Sequence, residues 1–174
     1  MTRSPIPTEA DLELAAVRLG ERLREHGWRL STAESSTGGL IGHAITMIPG
    51  ASAYYVGGVI CYTNQAKQVE LGVPPQLIAD HGAVSAEVAE AMAEGARHRF
   101  GVELGLAVTG IAGPEGGSEG KPVGLHFVAA SFRGRPATVE QRVFGHDRDG
   151  NKAAAALLAL EIGLREVTAA AQAG

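Results

Sequence analysis

Three apolar segments of the chain each run directly into a polar, glycine-containing segment, and this alternation restricts the fold more than any other feature. The apolar segments span residues 28–34, 54–63 and 102–110, and stretches with helical spacing lie between them. Alternating strands and helices favour a sheet that is covered by helices on both sides. We therefore predict an α/β protein, a three-layer α/β/α sandwich with a mixed, mostly parallel sheet.

The helices of this sandwich are indicated by their caps as well as by their spacing. Residues 7–27 form a first amphipathic pattern in which Thr8 and Asp11 are placed as a capping box, and residues 85–101 form another that begins at Ser85 and ends at Gly101. Further helices are predicted over 38–48, 64–73, 74–82 and 149–171. Two strands over 123–132 and 137–145, joined by a turn, predict a hairpin near the end of the chain.

Composition sets limits on partners and location. The 174 residues suit one domain over 1–174, and the net charge of −4 with scattered Lys and Arg argues against nucleic acid as a partner. No apolar run approaches the roughly 20 residues of a membrane span, and the first eleven residues lack the apolar core of a signal peptide. We expect no membrane partner and a cytoplasmic location. The single cysteine, Cys61, excludes an internal disulfide and is expected in the core.

The segment TAESSTGG, residues 32–39, has two interpretations. Ser, Thr and Gly suit a capped helix start, but the N–H groups of such a turn also suit an oxyanion or phosphate beside a serine hydroxyl. The pattern Gly-x-Ser-x-Gly is absent, and no His pairs with an Asp by spacing, so a Ser-His-Asp triad has little support. Lys67 follows the next strand and is a possible base if burial lowers its pKa, with Tyr62 at the same strand end.

The glycine-rich segment 109–122 ends the third strand. It lacks the Gly-Lys-Ser/Thr of a Walker loop, and either a loop that embraces phosphate or ribose or a mobile surface loop fits it. The six histidines show no metal-ligand spacing, so we predict no metal.

Four motifs together resemble the C-terminal domain of the competence/damage-inducible CinA family. They are TAESSTGGLIG, GGVICYTNQAK, HGAVSAEVAEAMAEGAR and AVTGIAGPEGGSEGKPVGLHFVA, and the likeness extends from about Leu12 to the last helix. Stand-alone members of this family hydrolyse the amide of nicotinamide mononucleotide (NMN). The resemblance implies an amidohydrolase that releases nicotinic acid mononucleotide and ammonia, needs no cofactor and forms oligomers, and we expect a homodimer.

The resemblance also implies roles for single residues. Ser35 matches the nucleophile of the family, and Tyr62 and Lys67 match its activating partners. We expect the N–H groups of Thr37, Gly38 and Gly39 to hold the oxyanion. Ser52, Thr109 and Gly110 match polar positions that line the substrate pocket of the family. Arg148 matches an arginine that serves either the phosphate or a neighbouring subunit. Ser36 stands where the family motif usually has cysteine.

Three alternatives to this activity stay open from the sequence. The same loops suit a nucleotide-binding module without catalysis, and the same nucleophile suits an amidohydrolase of a different small amide. The alanine-rich last helix is also compatible with a structural interaction protein.

Overall fold

One five-stranded sheet, in the order β2-β1-β3-β4-β5, forms the centre of the molecule. The computed structural model describes residues 5–173, so residues 1–4 and 174 of the predicted domain lie outside the described part. The strands are β1 (Leu30–Glu34), β2 (Tyr55–Ile60), β3 (Leu104–Gly110), β4 (Leu125–Phe132) and β5 (Thr138–Val143). Strand β1 pairs in parallel with β2 and β3, whereas β4 pairs antiparallel with β3 and β5. The predicted mixed sheet and terminal hairpin are confirmed.

Six α-helices and a short 3-10 helix connect the strands within the described residues. They are α1 (Glu9–His26), α2 (Leu40–Thr46), the 3-10 helix (Ala51–Ala53), α3 (Asn64–Leu71), α4 (Pro75–His81), α5 (Ala86–Phe100) and α6 (Arg148–Ala173). Thr8 and Asp11 form the predicted capping box of α1. The Ser85 hydroxyl accepts from the Val88 N–H at the start of α5, and Gly101 ends this helix in the left-handed conformation. No helix among residues 5–173 has the length and apolar character that crossing a membrane requires.

The two faces of the sheet are buried separately, which confirms the three-layer sandwich. Successive residues of β3 point to opposite faces, so Leu106 belongs to the core that includes residues of α1, α2 and α6, whereas Ala107 belongs to the core that includes residues of α3, α4 and α5. The side chains of Leu19 and Met92 are fully buried in the first and second core, respectively. The helices cover both faces of the sheet, so the ends of the central strands remain accessible for a ligand.

The carboxyl ends of β1, β2 and β3 lie side by side because these strands are parallel and adjacent. Glu34 ends β1, Ile60 ends β2 and pairs with Glu34, and Gly110 ends β3. The polar segments that follow these strands therefore meet at one edge, where an open α/β sheet commonly binds its ligands.

Candidate active site at the carboxyl ends of the parallel strands

A cavity of about 250 Å³ opens at this edge of the sheet. Its walls come from the turn after β1, the start of α3, the loop after β3 and the first residue of α6. Six of the residues predicted for the site border this cavity together: Ser35, Tyr62, Lys67, Thr109, Gly110 and Arg148. Segments far apart in the chain thus contribute to one site.

Ser35 and Lys67 form a direct pair inside the cavity. The Lys67 Nζ donates to the Ser35 Oγ at 3.0 Å and to the Cys61 carbonyl oxygen at 2.9 Å. The Lys67 side chain is only 2% exposed, and Ser35 is buried as well. Burial lowers the pKa of the Lys67 amine from its ordinary value, against the opposing influence of the Cys61 and Tyr62 side chains. The pair therefore joins a hydroxyl to an amine that loses its proton more readily than an exposed lysine does.

The local sequence places the Lys67 amine at this point. Thr63 caps α3 by accepting from the Ala66 N–H, so Lys67 lies within the first turn or so of the helix. Helical side chains lean toward the amino end, which carries the amine back to the Cys61 carbonyl. Cys61 is fully buried, as expected, and burial raises the pKa of its thiol to about 11, so this cysteine is unsuited to act as a nucleophile.

Tyr62 borders the same cavity, but its hydrogen-bond partner is Arg148 and not Ser35 or Lys67, which we expected. Its hydroxyl accepts from the Arg148 guanidinium at 3.2 Å, and Arg148 also donates to the Gly113 carbonyl oxygen at 2.6 Å. Arg148 thereby links the end of β2 to the glycine-rich loop across the mouth of the cavity. The Tyr62 side chain is 62% exposed, and its only hydrogen bond within residues 5–173 is the one from Arg148.

The turn at Thr37, Gly38 and Gly39 offers fewer free N–H groups than we expected for an oxyanion, because two of the three have acceptors inside the protein, whereas the Thr37 N–H has none among residues 5–173. The Gly38 N–H donates to the Ser35 carbonyl oxygen, and the Gly39 N–H donates to the Glu34 carboxylate. The Thr37 hydroxyl donates to the same carboxylate at 2.7 Å. The anion that this turn holds is therefore an internal one, the side chain of Glu34.

Ser52 is also placed away from the cavity. It lies exposed in the 3-10 helix that precedes β2, at the amino end of that strand, whereas the cavity is at the carboxyl end. Thr109 borders the cavity, but its hydroxyl donates to the Ala83 carbonyl oxygen at 2.8 Å and so joins β3 to the segment before α5. Ser36 is buried, and its hydroxyl has no hydrogen-bond partner within residues 5–173.

Sequence reasoning missed Glu34, Asn64 and Glu115. Asn64 and Glu115 border the cavity. Glu34 lies under the turn formed by residues 35–39, which we call the serine turn. The available signal for Glu34 was an acidic residue that ends an otherwise apolar strand directly before two serines. In the described part of the chain, the N–H groups of Ser36, Ala112 and Gly113 have no protein acceptor, although these residues border the cavity. No three His, Cys, Asp or Glu residues among 5–173 are grouped to hold a metal ion.

The fold and the site together define a class of α/β domain that holds a serine and a buried lysine at the carboxyl end of its parallel strands. The chain belongs to the CinA family, because the model of the CinA C-terminal domain matches residues 12–167.

Relatives of known sequence carry family names. A CinA-like protein from Geobacter sulfurreducens is 49% identical over 150 residues, which cover 86% of this chain and 35% of that protein. A putative competence-damage inducible protein from Moorella thermoacetica is 50% identical over 123 residues, which cover 71% of this chain and 30% of that protein. The chain thus spans about a third of the length of these relatives.

Solved structures share the fold over nearly their whole length. The competence/damage inducible protein CihA from Agrobacterium tumefaciens has a TM-score of 0.88 at 40% identity, covering 95% of this chain and 99% of that one. A CinA superfamily protein from Escherichia coli has a TM-score of 0.85 at 34% identity, covering 91% and 93% of the two chains.

Proposed function

We propose that this protein is an amidohydrolase that cleaves the carboxamide of NMN, giving nicotinic acid mononucleotide and ammonia. The observation that carries this proposal is the contact of 3.0 Å between the Lys67 amine and the Ser35 hydroxyl in a buried site. A serine needs a base before it attacks an amide, and a lysine whose pKa is lowered by burial is suited to that task. Family membership supports the choice of NMN as the substrate.

The proposed reaction is an acyl transfer in two steps. Neutral Lys67 takes the Ser35 proton as the Oγ forms a bond to the carboxamide carbon, and the C–N bond then breaks while the lysine returns a proton to the leaving nitrogen as ammonia. Water attacks the resulting ester and gives a proton to Lys67. The ester C–Oγ bond then breaks, Lys67 passes that proton to the Ser35 Oγ, and the carboxylic acid is released with both residues restored. Atoms and protons balance without a metal or cofactor.

The oxyanion of each tetrahedral intermediate needs preorganised donors. The N–H of the residue after the nucleophile often serves in serine hydrolases, and the Ser36 N–H is in that position without a protein acceptor in the described chain. Ala112 and Gly113 border the same cavity, and their N–H groups have no protein acceptor among residues 5–173, so they are suited to be second donors. Each such donor typically contributes about 3 kcal/mol to catalysis.

Arg148 is the proposed ligand of the NMN phosphate. Arg148 borders the cavity, and within residues 5–173 its guanidinium has only neutral oxygen partners, the Tyr62 hydroxyl and the Gly113 carbonyl. A phosphate offers the guanidinium a bidentate, charge-assisted contact that is stronger than either of these bonds. Tyr62 has no hydrogen bond to Ser35 or Lys67 among residues 5–173, so a relay of the serine proton through Tyr62 requires its hydroxyl to move toward that pair. A phosphate that engages the Arg148 guanidinium would leave the Tyr62 hydroxyl free to do so.

The test is steady-state release of ammonia and nicotinic acid mononucleotide from NMN by wild type, Ser35→Ala, Lys67→Ala and Ser36→Ala. We expect turnover to fall by at least about 10³-fold in the first two variants. Ser36→Ala is the matched control, because it removes a hydroxyl from the adjacent position that has no partner among residues 5–173, and it should stay within about threefold of wild type. Undiminished turnover in Ser35→Ala would contradict the proposal, and a dead Ser36→Ala would transfer the nucleophile to that residue.

Substrate comparisons separate the alternatives. Binding of NMN without ammonia release would indicate a nucleotide-binding module. Turnover of nicotinamide riboside as fast as NMN would contradict the role of Arg148, since the riboside lacks the phosphate. Faster turnover of an unrelated small amide would indicate that this amide, and not NMN, is the substrate. The proposed roles of Ser35 and Lys67 would be unchanged.

A further inference from the structure

The Glu34 carboxylate fills the turn that carries the two serines. It is 2% exposed, and its Oε2 accepts from the Thr37 hydroxyl at 2.7 Å and from the Gly39 and Ile41 N–H groups at 3.0 Å each. Its Oε1 accepts from the Gly42 N–H at 2.8 Å. One buried side chain thus receives four hydrogen bonds from residues that all follow the serines in the chain.

A helix start alone does not require this arrangement. An N-cap Ser, Thr, Asp or Asn satisfies the first N–H groups of a helix without a fully buried charge, but the N-cap residue of α2 is Gly39, which has no side chain. Burying a carboxylate is costly unless its donors are well placed. Glu34 meets that cost with four short donors, and in doing so it ties the far side of the serine turn to the end of β1.

The near side of the turn is fixed by the sheet. The Ser35 N–H donates to the Val108 carbonyl oxygen of β3, and the Cys61 N–H donates to the Glu34 carbonyl oxygen. The Glu34 backbone is therefore fixed by the residue that follows β2. The Glu34 side chain in turn fixes the residues that follow Ser35. Ser35 lies between these two anchors, 3.0 Å from the Lys67 amine.

We infer that Glu34 is a positioning residue for Ser35. It makes no contact with substrate and takes no proton. Its carboxylate accepts hydrogen bonds from the residues that follow the two serines and so fixes the backbone of this turn. The fixed backbone keeps the Ser35 hydroxyl within hydrogen-bond distance of the Lys67 amine. This inference rests on the proposed acyl transfer at Ser35, whichever amide is the substrate.

The test compares Glu34→Gln with Glu103→Gln. A glutamine at position 34 has the same size and shape as glutamate, but one of its two acceptor oxygens is replaced by an NH₂ group. This group donates and does not accept, so the side chain cannot receive all four hydrogen bonds. The matched control removes a partly buried carboxylate that accepts from the Arg29 N–H at 2.9 Å, near the amino end of the sheet. Three quantities are measured: the rate at which a fluorophosphonate probe labels Ser35, by mass spectrometry; kcat and KM for NMN; and the folded fraction, by thermal unfolding.

We expect Glu34→Gln to lower both the labelling rate and kcat by at least tenfold, with KM within threefold of wild type and the chain folded at the assay temperature. Glu103→Gln should retain wild-type values for both rates. If Glu34→Gln does not fold, Thr37→Val removes one of the four donors with little change of shape, and its labelling rate and kcat should fall by about threefold at unchanged KM.

The other outcomes separate this inference from the proposed substrate. A labelling rate within twofold of wild type in a folded Glu34→Gln protein, or an equal loss in Glu103→Gln, would overturn the positioning role. Labelling of wild-type Ser35 without NMN hydrolysis would reject NMN as substrate and leave the inference to be decided by the labelling rates. A wild-type Ser35 that neither reacts with the probe nor supports NMN turnover would overturn both.

Discussion

Lys67 is the residue whose environment determines what the site can do. Its amine has left water almost completely, and its two hydrogen-bond acceptors, the Ser35 hydroxyl and the Cys61 carbonyl, are neutral. Neutral acceptors do not compensate a buried positive charge as a carboxylate would, so desolvation dominates and lowers the pKa of the amine. The same burial that prepares the lysine as a base makes its charged form unfavourable for folding.

The stability of the protein should therefore depend on pH through Lys67. Between the lowered pKa of the folded state and the ordinary 10.5, the unfolded chain binds one proton more than the folded chain, so the free energy of unfolding rises with pH in that window. One proton gives a slope of at most about 1.4 kcal/mol per pH unit. Relative to Lys67→Met, wild type should gain stability as pH rises from the lowered pKa of the folded state toward 10.5.

Urea unfolding of both proteins at a series of pH values checks this prediction, and the difference between their free energies is the quantity of interest. Taking the difference cancels the titration of all other groups that the two proteins share. A difference that is constant across the whole window would show that the Lys67 amine keeps its ordinary pKa in the folded state, and would remove the physical basis for its role as a base.

At the scale of helices and strands, local patterns predicted what local contacts determine. The Thr8 and Asp11 capping box, the Ser85 cap and the terminal hairpin depend on residues close in sequence, and all were correct. The strand ends were less well predicted, since the pattern begins the third strand at residue 102 whereas β3 begins at Leu104. Which N–H groups of the serine turn are free could not be predicted, because Glu34 competes for them from the preceding strand.

The close packing of α5 on β3 depends on a glycine. A Cβ placed on Gly105 would overlap the Ala93 carbonyl oxygen and crowd the Arg97 backbone, both in the middle of α5. We expect Gly105→Ala to lower the free energy of unfolding by about 2–3 kcal/mol, because a helix backbone must move to accommodate it. The measurement is chemical denaturation, with the denaturant dependence compared to wild type.

Gly163→Ala is the matched control for this prediction. Gly163 lies in α6 on the opposite face, and an added Cβ would approach the ends of the Leu106 and Leu19 side chains at 3.2 to 3.3 Å, where a small shift of flexible groups is enough. Alanine also favours a helix over glycine by about 1 kcal/mol, so the net change should be small. Equal destabilisation by the two variants would contradict the view that backbone contact makes Gly105 special.

At the scale of the whole molecule, the alternation of strands and helices was enough to predict three layers and a site at one edge of the sheet. The position of Ser52 shows the limit of that reasoning. Resemblance to the family assigned it to the substrate pocket, but within this single chain it lies exposed at the amino end of β2, away from Ser35 and Lys67. The structure of a single copy does not show which surfaces come together when copies associate.

The outer edge of β2 is the surface on which we expect two copies to associate. β2 is an edge strand, and its Val56 and Ile60 side chains are 43% and 61% exposed, with Tyr62 beyond them. An apolar edge strand is a natural template for pairing with another chain. We expect wild type to sediment as a homodimer and the double variant Val56→Lys/Ile60→Lys to sediment as a folded monomer, measured by analytical ultracentrifugation at micromolar concentrations.

Val143→Lys supplies the control at the opposite edge of the sheet. Val143 lies on β5 and is 56% exposed, so the substitution places one lysine on an edge strand of similar exposure without touching β2. Dimers should persist in this variant because a lysine on β5 neither repels a partner at β2 nor removes apolar area there. A monomeric wild type would contradict the expected homodimer. If Val143→Lys dissociates as readily as the β2 variant, the interface is not specific to β2.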